Sequence, residues 1–319
     1  TTVNIPAGDI TSNTTWTSGN VYLLDGWVYV KSGATLTIQP GTIIRGSKTN
    51  QGALIIEKGG KLEANGTASQ PIVFTSNQAA GSRDYGDWGG VIICGKASIN
   101  IPGGTAIIEG GVGTEYGGGA TPDDNDNSGI LKYVRIEFPG IAFSPNNEIN
   151  GLTMGAVGDG TTIDYVQVSY SGDDSFEWFG GTVNAKHLIA LRGLDDDLDT
   201  DIGFTGKIQF VVVLRDPAQA DVSGSRAFES DNDGSGSSNT PFTAPVFSNV
   251  SVFGPKADAG TVINSNYKEV ANIRLNSRCS IFNSILSGWN KGLRIDGAAS
   301  QQNATNNILR IENTFEAGM

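Results

Sequence analysis

The sequence predicts an all-β fold, specifically a right-handed parallel β-helix with an N-terminal cap. Three observations predict it. Short runs of β-branched and aromatic residues are separated by Gly, Asn, Asp and Ser. No 3.6-residue apolar stripe is sustained over ten positions, so helices are almost excluded. The third observation is an internal repeat of about 22 residues, which decides between a sandwich, a barrel and a solenoid.

The strand-like runs cover nearly the whole chain of 319 residues. They include VYLL, WVYV, ATLTI, GTIIRG, ALIIE, PIVF, GVIIC, LKYVRI, YVQVSY, HLIAL, FVVVL, NVSVF and RCSIFNSI. The 44 glycines suit a chain that turns corners often. Because no low-complexity linker or change of pattern interrupts the runs, we expect a single domain despite the length.

The repeat is clearest between residues 165–181 and 187–206, which align at an offset of 22. This alignment pairs four positions, namely Asp173 with Asp195, Asp174 with Asp196, Glu177 with Asp199, and Gly181 with Gly203. A third copy begins at Leu214-Arg215 and resumes after an insertion at Phe228-Glu229. A looser echo lies in the N-terminal third. Sandwich strands would not keep corner residues in register in this way, whereas the coils of a solenoid do.

The register makes specific predictions about which residues meet. Residues 21–319 form ten or more coils that stack about 4.8 Å apart, and residues 1–20 form the cap. Phe176, Leu198 and Phe228 stack inside the coil. The neighbouring positions Glu177, Asp199 and Glu229 form a ladder of carboxylates on one outer face.

Composition excludes some function classes. The formal net charge is −12, from 33 acidic and 21 basic residues, so a nucleic-acid partner is not expected. No apolar run approaches the roughly 18 residues that span a bilayer.

The two cysteines, Cys94 and Cys279, lie in apolar strand-like runs, which favours two buried thiols over a disulfide. The chain opens at TTVNIPAGDI without a signal peptide, so we expect it to be cytosolic or already processed or trimmed.

The segment GLDDDLDTDIG, residues 193–203, carries five aspartates in seven positions. Residues 173–233 hold 13 acidic and 5 basic residues, a net charge of −8. Stacked carboxylates cannot all stay ionised without a counter-charge, and Ca²⁺ with oxygen ligands supplies one. The predicted ligands are Asp173, Asp174, Asp195, Asp196, Asp197, Asp199 and Asp201. Two further Asp/Asn-rich loops add the predicted ligands Asp124 and Asp126, and Asp231 and Asp233.

Two alternatives compete with this calcium prediction. Asp and Asn are common in loops because they form Asx-turns and tolerate left-handed backbone, so each cluster could be a solvated turn. The acids could also be neutralised through ion pairs with the basic residues nearby, which are Lys186, Arg192, Lys207 and Arg215.

Three segments carry a resemblance to a known family, namely YGDWGGVIICGKASIN, the block from DDNDNSGILKYV to GFTGKIQF, and RAFESDNDGSGSS. They resemble a family of secreted β-helix proteins of Bacteroidota, exported by the type IX system and without an assigned reaction. The resemblance covers most of the chain. It implies an extracellular or outer-cell-surface protein whose signal peptide and sorting domain are absent from this chain, and it supplies no catalytic residue.

A weaker likeness points to an enzyme. The motif SGDDS at 171–175 is similar to the paired-aspartate motif of polygalacturonase-type β-helix hydrolases, which need an acid and water-activating carboxylates. Asp173 or Asp174 with Asp196 or Asp197 would supply that set. The chain lacks the Asn-Thr-Asp and Gly-His-Gly motifs of that family. A pectate-lyase-like mechanism would instead need Ca²⁺ and an Arg or Lys base.

Aromatic residues beside the acidic segments offer sites for sugar stacking. Tyr85, Trp88 and Trp178 are the predicted ligand-binding residues, although interior stacks along the coils are the equal alternative. The one histidine, His187, is expected to be a neutral packed or exposed imidazole.

The sequence therefore favours a non-catalytic surface protein, an adhesin-like or glycan-binding β-helix stabilised by Ca²⁺. The alternative is a polysaccharide-cleaving enzyme, a hydrolase or lyase, on the same scaffold. Carboxylates that converge beside aromatic platforms would indicate the enzyme, and carboxylates that converge on metal ions would indicate the binding module.

Overall fold

The protein is a right-handed parallel β-helix, as the repeat predicts. The computed structural model describes residues 1–144 and 147–318. In this part of the chain, 24 strands pair into one sheet that winds around the molecule, and two small hairpins and one short helix lie outside it.

The strands follow one another along almost the whole chain. In chain order they are β1 (Thr2–Ile10), β2 (Thr14–Trp16), β3 (Val21–Val30), β4 (Thr35–Ile38), β5 (Ile43–Gly46), β6 (Ala53–Ile56), β7 (Lys61–Asn65), β8 (Ile72–Ser76), β9 (Gly90–Cys94), β10 (Ala106–Ile107), β11 (Glu115–Tyr116), β12 (Gly129–Glu137), β13 (Ala142–Ser144), β14 (Asn147–Glu148), β15 (Leu152–Val157), β16 (Thr162–Ser169), β17 (Phe176–Gly181), β18 (Ala185–Leu191), β19 (Leu198–Asp201), β20 (Lys207–Leu214), β21 (Phe228–Ser230), β22 (Val246–Phe253), β23 (Ala271–Ile273), β24 (Ser280–Phe282), β25 (Ile285–Ser287), β26 (Leu293–Ile295), β27 (Ile311–Glu312) and β28 (Phe315–Ala317).

The coils have three faces. One face, called here the front face, is built from the short strands β9, β15, β17, β19, β21, β23 and β26, each paired in parallel with the next. The other two faces share the long strands β12, β16, β18, β20 and β22. Each long strand bends at one residue with positive φ, where the pairing register skips a position. These bends turn a flat pair of strands into a corner.

The interior follows the predicted register. Phe176 pairs with Leu198, and Leu198 pairs with Phe228, and all three side chains are buried in the main apolar core. This part of the prediction is confirmed. Cys94 and Cys279 are both buried free thiols, so the prediction against a disulfide is also confirmed.

The first twenty residues continue the sheet. Strand β1 pairs in parallel with β3, and β2 pairs in parallel with β4. These residues thus add a layer at the N-terminal end of the helix. Their role as a cap that is separate from the coils stays a prediction.

Two departures from the repeat add structure outside the coils. The hairpin β10–β11 belongs to an insertion, residues 97–128, whose Ile108 and Tyr116 pack on the outer side chains of β6 and β9 in a second apolar cluster. The hairpin β13–β14 lies in a second insertion, residues 139–151. Near the C-terminus, helix α1 (Ala298–Thr305) is an element that the strand pattern did not predict. None of the helical segments among the described residues has the length and apolar character needed to cross a bilayer.

Candidate functional site

The predicted ladder of carboxylates lies on the outer side of the front face. Glu177 pairs with Asp199, and Asp199 pairs with Glu229, in adjacent strands. In each strand the residues before and after the acid point into the core, so the alternation of a β-strand places the acids outside. The register therefore stacks three carboxylates along the helix axis, as predicted.

The turn before each of these strands adds a second row of acids. The carboxylate oxygen Oδ1 of Asp174 accepts a hydrogen bond from the backbone N–H of Asp196 at 2.8 Å. In the next coil, Oδ1 of Asp196 accepts one from the N–H of Arg226 at 2.5 Å. Each aspartate thus connects its turn to the turn of the next coil, and the turns stack in the same register as the strands, at offsets of 22 and then 30 residues.

Together these rows form a cleft of about 310 Å³. Its lining residues are Glu109, Asn150, Asp173, Asp174, Glu177, Asp195, Asp196, Asp199, Ser223, Arg226, Glu229 and Arg274. Two sets of three carboxylates converge within it, and in each set the ligand oxygens lie within 4.8 Å of one another. The first set is Asp173, Asp174 and Asp195, and the second is Asp174, Glu177 and Asp199. Asp174 belongs to both sets.

The insertions close one side of the cleft. Glu109 comes from the insertion 97–128, and Asn150 comes from the segment before β15. The side-chain nitrogen Nδ2 of Asn150 donates to Oε1 of Glu109 at 2.6 Å and also donates to Glu177. Its amide oxygen Oδ1 has no hydrogen-bond partner among the described residues, although Asn150 is fully buried. This oxygen is a ready acceptor or metal ligand in the cleft wall.

Burial and mutual repulsion dominate the electrostatics. Burial, reinforced by neighbouring carboxylates, raises the pKa of five cleft acids well above the usual range. These acids are Asp173, Asp174, Glu177, Asp196 and Asp199. Burial also raises the pKa of Glu109. The cleft thus holds more carboxylates than it can ionise without a positive counter-charge.

Two arginines supply part of that counter-charge. Arg226 lies 2.9 Å from Oε2 of Glu229, and Arg274 lies 2.6 Å from Oε1 of the same residue. The sequence analysis named neither arginine as a counter-charge, although Arg226 lies beside the third copy of the repeat; Arg274 lies one coil beyond it. Of the four basic residues that it named, Lys186 and Lys207 are exposed, and Arg192 pairs at 3.6 Å with Asp216. The fourth, Arg215, serves the interior. None of the four lines the cleft.

Asp197 does not enter the cleft, which corrects its prediction as a metal ligand or catalytic acid. Its carboxylate lies 3.0 Å from Arg215, and both side chains are completely buried. Burial raises the pKa of Asp197 to about 7, and the guanidinium opposes that shift. Asp201 lies farther along the same strand face, outside both converging sets. Burial raises its pKa to about 7 as well.

The acids of the two other loops bind neighbouring segments of the chain and do not form a common site. Oδ1 of Asp124 and Oδ2 of Asp126 accept backbone hydrogen bonds from Ser98 at 2.8 Å and Lys96 at 3.0 Å. Asp231 pairs with Arg274 at 2.9 Å. Asp124 and Asp126 therefore hold their loop against residues 96–98, and Asp231 is neutralised by an ion pair.

Asp233 instead stabilises its own turn, as in the alternative of turn-forming acids. Burial would raise its pKa, but hydrogen bonds from Ser237 and Ser235 outweigh burial and lower the pKa to about 2. No converging carboxylate set among the described residues includes Asp124, Asp126, Asp231 or Asp233.

Two of the three predicted aromatic platforms are interior residues, which corrects that prediction. Trp88 and Trp178 are completely buried. Trp178 stacks between Phe176 at 6.0 Å and Phe204 at 5.4 Å, as in the interior-stack alternative. Tyr85 is partly exposed and meets Tyr170 edge-on at 5.8 Å. No aromatic side chain lines the described part of the acidic cleft.

The donor set of the cleft fits a hard cation. All of its potential ligands are carboxylate, amide and hydroxyl oxygens, and no described Cys or His lines it. Ca²⁺ takes six to eight oxygen ligands at about 2.3–2.6 Å in irregular geometry. The unpartnered amide oxygen of Asn150 and the two carboxylate triads are the kind of ligands such an ion uses. The residues present therefore fit Ca²⁺.

The family match agrees with the fold. The chain matches the family described as a pectate-lyase-like β-helix domain over residues 8–317. Among solved structures it matches the A-module of the mannuronan C-5 epimerase AlgE6 from Azotobacter vinelandii, at 10% identity and a TM-score of 0.25, covering 99% of this chain and 90% of the other. A comparison with curated proteins gives no match. Since the family match extends over nearly all of the chain, the protein belongs to the family of pectate-lyase-like β-helix domains.

Proposed function

We propose that the protein is a calcium-dependent glycan-binding β-helix and that it does not cleave its ligand. The observation that carries this proposal is the pair of carboxylate triads, with oxygens within 4.8 Å, in a buried cleft. Buried acids with raised pKa values at such distances favour a bound divalent cation, because the cation removes both the desolvation cost and the repulsion.

The glycan part of the proposal rests on the cleft and the family. The residues that would hold the ion are Asp173, Asp174, Glu177, Asp195, Asp199 and Asn150. A bound Ca²⁺ supplies coordination positions for hydroxyl or carboxylate oxygens of a ligand. The chain's own residues contribute Arg226 and Arg274, which lie at the same cleft and can donate hydrogen bonds to those oxygens.

The direct test is calcium titration by calorimetry with chelator-treated protein. We expect binding to the native protein and its loss in the double variant Asp174→Asn/Asp199→Asn, which removes one charge from the first triad and two from the second. Asp124→Asn is the matched control, because Asp124 is exposed and lies outside the cleft, so its substitution should leave binding intact. Native protein that binds no Ca²⁺ would exclude the cation.

The glycan is tested with the same proteins. We expect the native protein to retain acidic polysaccharides on an affinity gel in the presence of Ca²⁺ and to lose retention in EDTA. Retention that persists in EDTA and in the double variant would show that the cleft is not the glycan site.

A second candidate function is polysaccharide cleavage, and one observation favours it. Asp174 and Asp196 keep raised pKa values in a cleft that also contains ionisable carboxylates and arginines. A protonated acid beside an ionised carboxylate is the arrangement that glycoside hydrolases use. Release of reducing ends, or of unsaturated products, from a polysaccharide panel would establish an enzyme. Asp196→Asn should then abolish the release without abolishing calcium binding.

The cellular location is a separate proposal. We propose an extracellular or outer-surface protein, of the kind that Bacteroidota export by the type IX system. The acidic composition and the resemblance of the long middle block support it. Fractionation of the producing cells tests it, and product found only in the cytosol would contradict it.

A further inference from the structure

A ladder of stacked rings occupies the corner between the two faces that share the long strands. It consists of the bending residues of four successive coils, Tyr133, Tyr165, His187 and Phe210. Their ring centroids are 4.5, 4.2 and 5.2 Å apart, and the interplanar angles are 12° or less. This ladder lies on a different corner from the acidic cleft, and neither the calcium site nor the glycan proposal uses it.

The ladder ends at Phe210. The same corner position in the next coil is Asn249, which also has a positive φ of 58°, and the one after that is Asn283. An asparagine side chain covers less area than a ring would, and Phe210 is 44% exposed, slightly more than the 39% of Tyr165, which has a ring on each side. A groove of about 630 Å³ lies beside the ladder. It extends past the end of the stack, since Tyr165, His187 and Phe210 line it together with Asn249 and Asn283.

The groove combines an apolar floor with amide groups. Ile189, Val212 and Ile285 line it from the adjoining face, and Asn249, Asn283 and Ser251 add polar groups. No Lys, Arg, Asp or Glu lines the described part of the groove, although the protein as a whole carries a net charge of −12. His187 faces it with its Nδ1 hydrogen-bonded to Asp164 at 2.8 Å. An uncharged lining selects an uncharged ligand, since a charged one would lose hydration without gaining a partner.

We propose that this groove is a second binding site and that its ligand is a pyranose ring of a neutral glycan. Such a ring has an apolar face that can pack on Phe210 as the next member of the stack. Its hydroxyl groups can exchange hydrogen bonds with the amides of Asn249 and Asn283. Binding here needs no cation, because the groove contains no carboxylate that requires one. The site is independent of the acidic cleft and of the function proposed for it.

The first experiment measures binding of neutral hexasaccharides of glucose, xylose, mannose and galactose by calorimetry in EDTA. We expect at least one to bind and Phe210→Ala to weaken it by about tenfold or more. Phe253→Ala is the matched control, because Phe253 is 51% exposed but lines a different cavity. If no hexasaccharide binds, if Phe210→Ala binds as well as the native protein, or if EDTA abolishes binding, the proposal is wrong.

A second variant separates the groove from general effects on folding. Asn249→Phe continues the ring stack by one coil, at a φ that the four natural rings already adopt. We expect it to fill the groove and abolish glycan binding while it keeps or raises the melting temperature. Unchanged binding in Asn249→Phe would overturn the proposal. Light scattering tests whether a second copy of the chain occupies the groove instead. A native dimer that Asn249→Phe dissociates would show that it does and would overturn the proposal.

Discussion

Asp197 and Arg215 show how single residues of the acidic segment are divided between the inside and the outside of the coil. The guanidinium donates to the carboxylate of Asp197 at 3.0 Å and to the carbonyl oxygens of Asp195 at 2.7 Å and Leu194 at 2.9 Å. Its Nε donates to the hydroxyl of Tyr267 at 3.3 Å. One aspartate of the run therefore anchors the corner from inside, while its neighbours Asp195 and Asp196 line the cleft.

We expect Asp197→Ala to lower the free energy of unfolding by about 3–5 kcal/mol, because it leaves the guanidinium of Arg215 buried without its counter-ion. Denaturant unfolding followed by circular dichroism measures this loss. Asp159→Ala is the control, since Asp159 is exposed and its substitution should change stability by less than about 0.5 kcal/mol. Equal stability of the two variants would show that the buried pair contributes little.

The repeat contains a signal that could have placed Asp197 correctly. At the offset of 22 it aligns with Ser175, not with an acid, whereas Asp195 and Asp196 align with Asp173 and Asp174. Ser175 is completely buried, so its position in the coil faces inward. The ion-pair alternative included Arg215 among the possible partners of these acids, and the structure pairs it with Asp197. The repeat alone does not single out Arg215, because its match, Arg192, pairs with Asp216.

At the scale of elements, the repeat predicted the positions that are equivalent in successive coils and missed the residues that lie in insertions between them. It predicted the ladder of Glu177, Asp199 and Glu229 because parallel strands stack equivalent positions. It could not predict Glu109 and Asn150, since both lie in insertions that pack on the coils through contacts distant in sequence. Glu109 and Asn150 are placed at the cleft by tertiary packing alone.

The ring ladder could have been predicted from the same repeat. Tyr165 and His187 are 22 residues apart, which is the offset between the first two copies of the acidic segment. His187 and Phe210 are 23 apart, which is the offset between Leu191 and Leu214. The expectation for His187 was a packed or exposed imidazole. It is half exposed, and it stacks on Tyr165 on one side and on Phe210 on the other. Applying the offset to aromatic as well as acidic positions would have found the stack.

We expect the ring ladder to stabilise the corner at which the long strands bend. Tyr165→Ala removes two stacked contacts, at 4.5 Å to Tyr133 and 4.2 Å to His187, and should cost about 1–3 kcal/mol of unfolding free energy. Tyr165→Phe keeps both contacts and should cost much less. Urea unfolding of the two variants compares them directly, and similar losses would indicate that the hydroxyl rather than the stacking matters.

At the scale of the whole molecule, the coils carry two different surfaces on one scaffold. Three successive coils contribute an acid to the front face, and four contribute a ring to the corner, so a short repeat generates both rows. In a solenoid the stability of each coil depends mainly on its neighbours. Repulsion along the acidic row therefore acts on the central coils, where the cleft lies, and ties their stability to protonation and to bound cation.

The pH dependence of stability follows from the raised pKa values. A carboxyl group whose pKa is higher in the folded state than in the unfolded state binds its proton more tightly when folded. The stability that it contributes is present in acid and is lost as the pH rises from the unfolded pKa to the folded one. For Asp201 this window extends from about 4 in the unfolded chain to about 7 in the folded protein. The cleft acids have the same sign.

We therefore expect the unfolding free energy in EDTA to fall between about pH 5 and about pH 8, since the folded protein binds more protons than the unfolded chain in this range. Carboxylates with lowered pKa values, such as Asp233, change stability mainly below about pH 4 and do not reverse the trend. Saturating Ca²⁺ should reduce the fall, because the ion favours the ionised cleft and adds about 2.7 kcal/mol when its concentration is a hundred times Kd. Denaturant unfolding at pH 5 and pH 8, each in EDTA and in Ca²⁺, gives the four unfolding free energies required. Asp201→Asn should reduce the fall in unfolding free energy between these pH values in EDTA. An unfolding free energy in EDTA that rises from pH 5 to pH 8 would show that the buried acids are neutralised by other means.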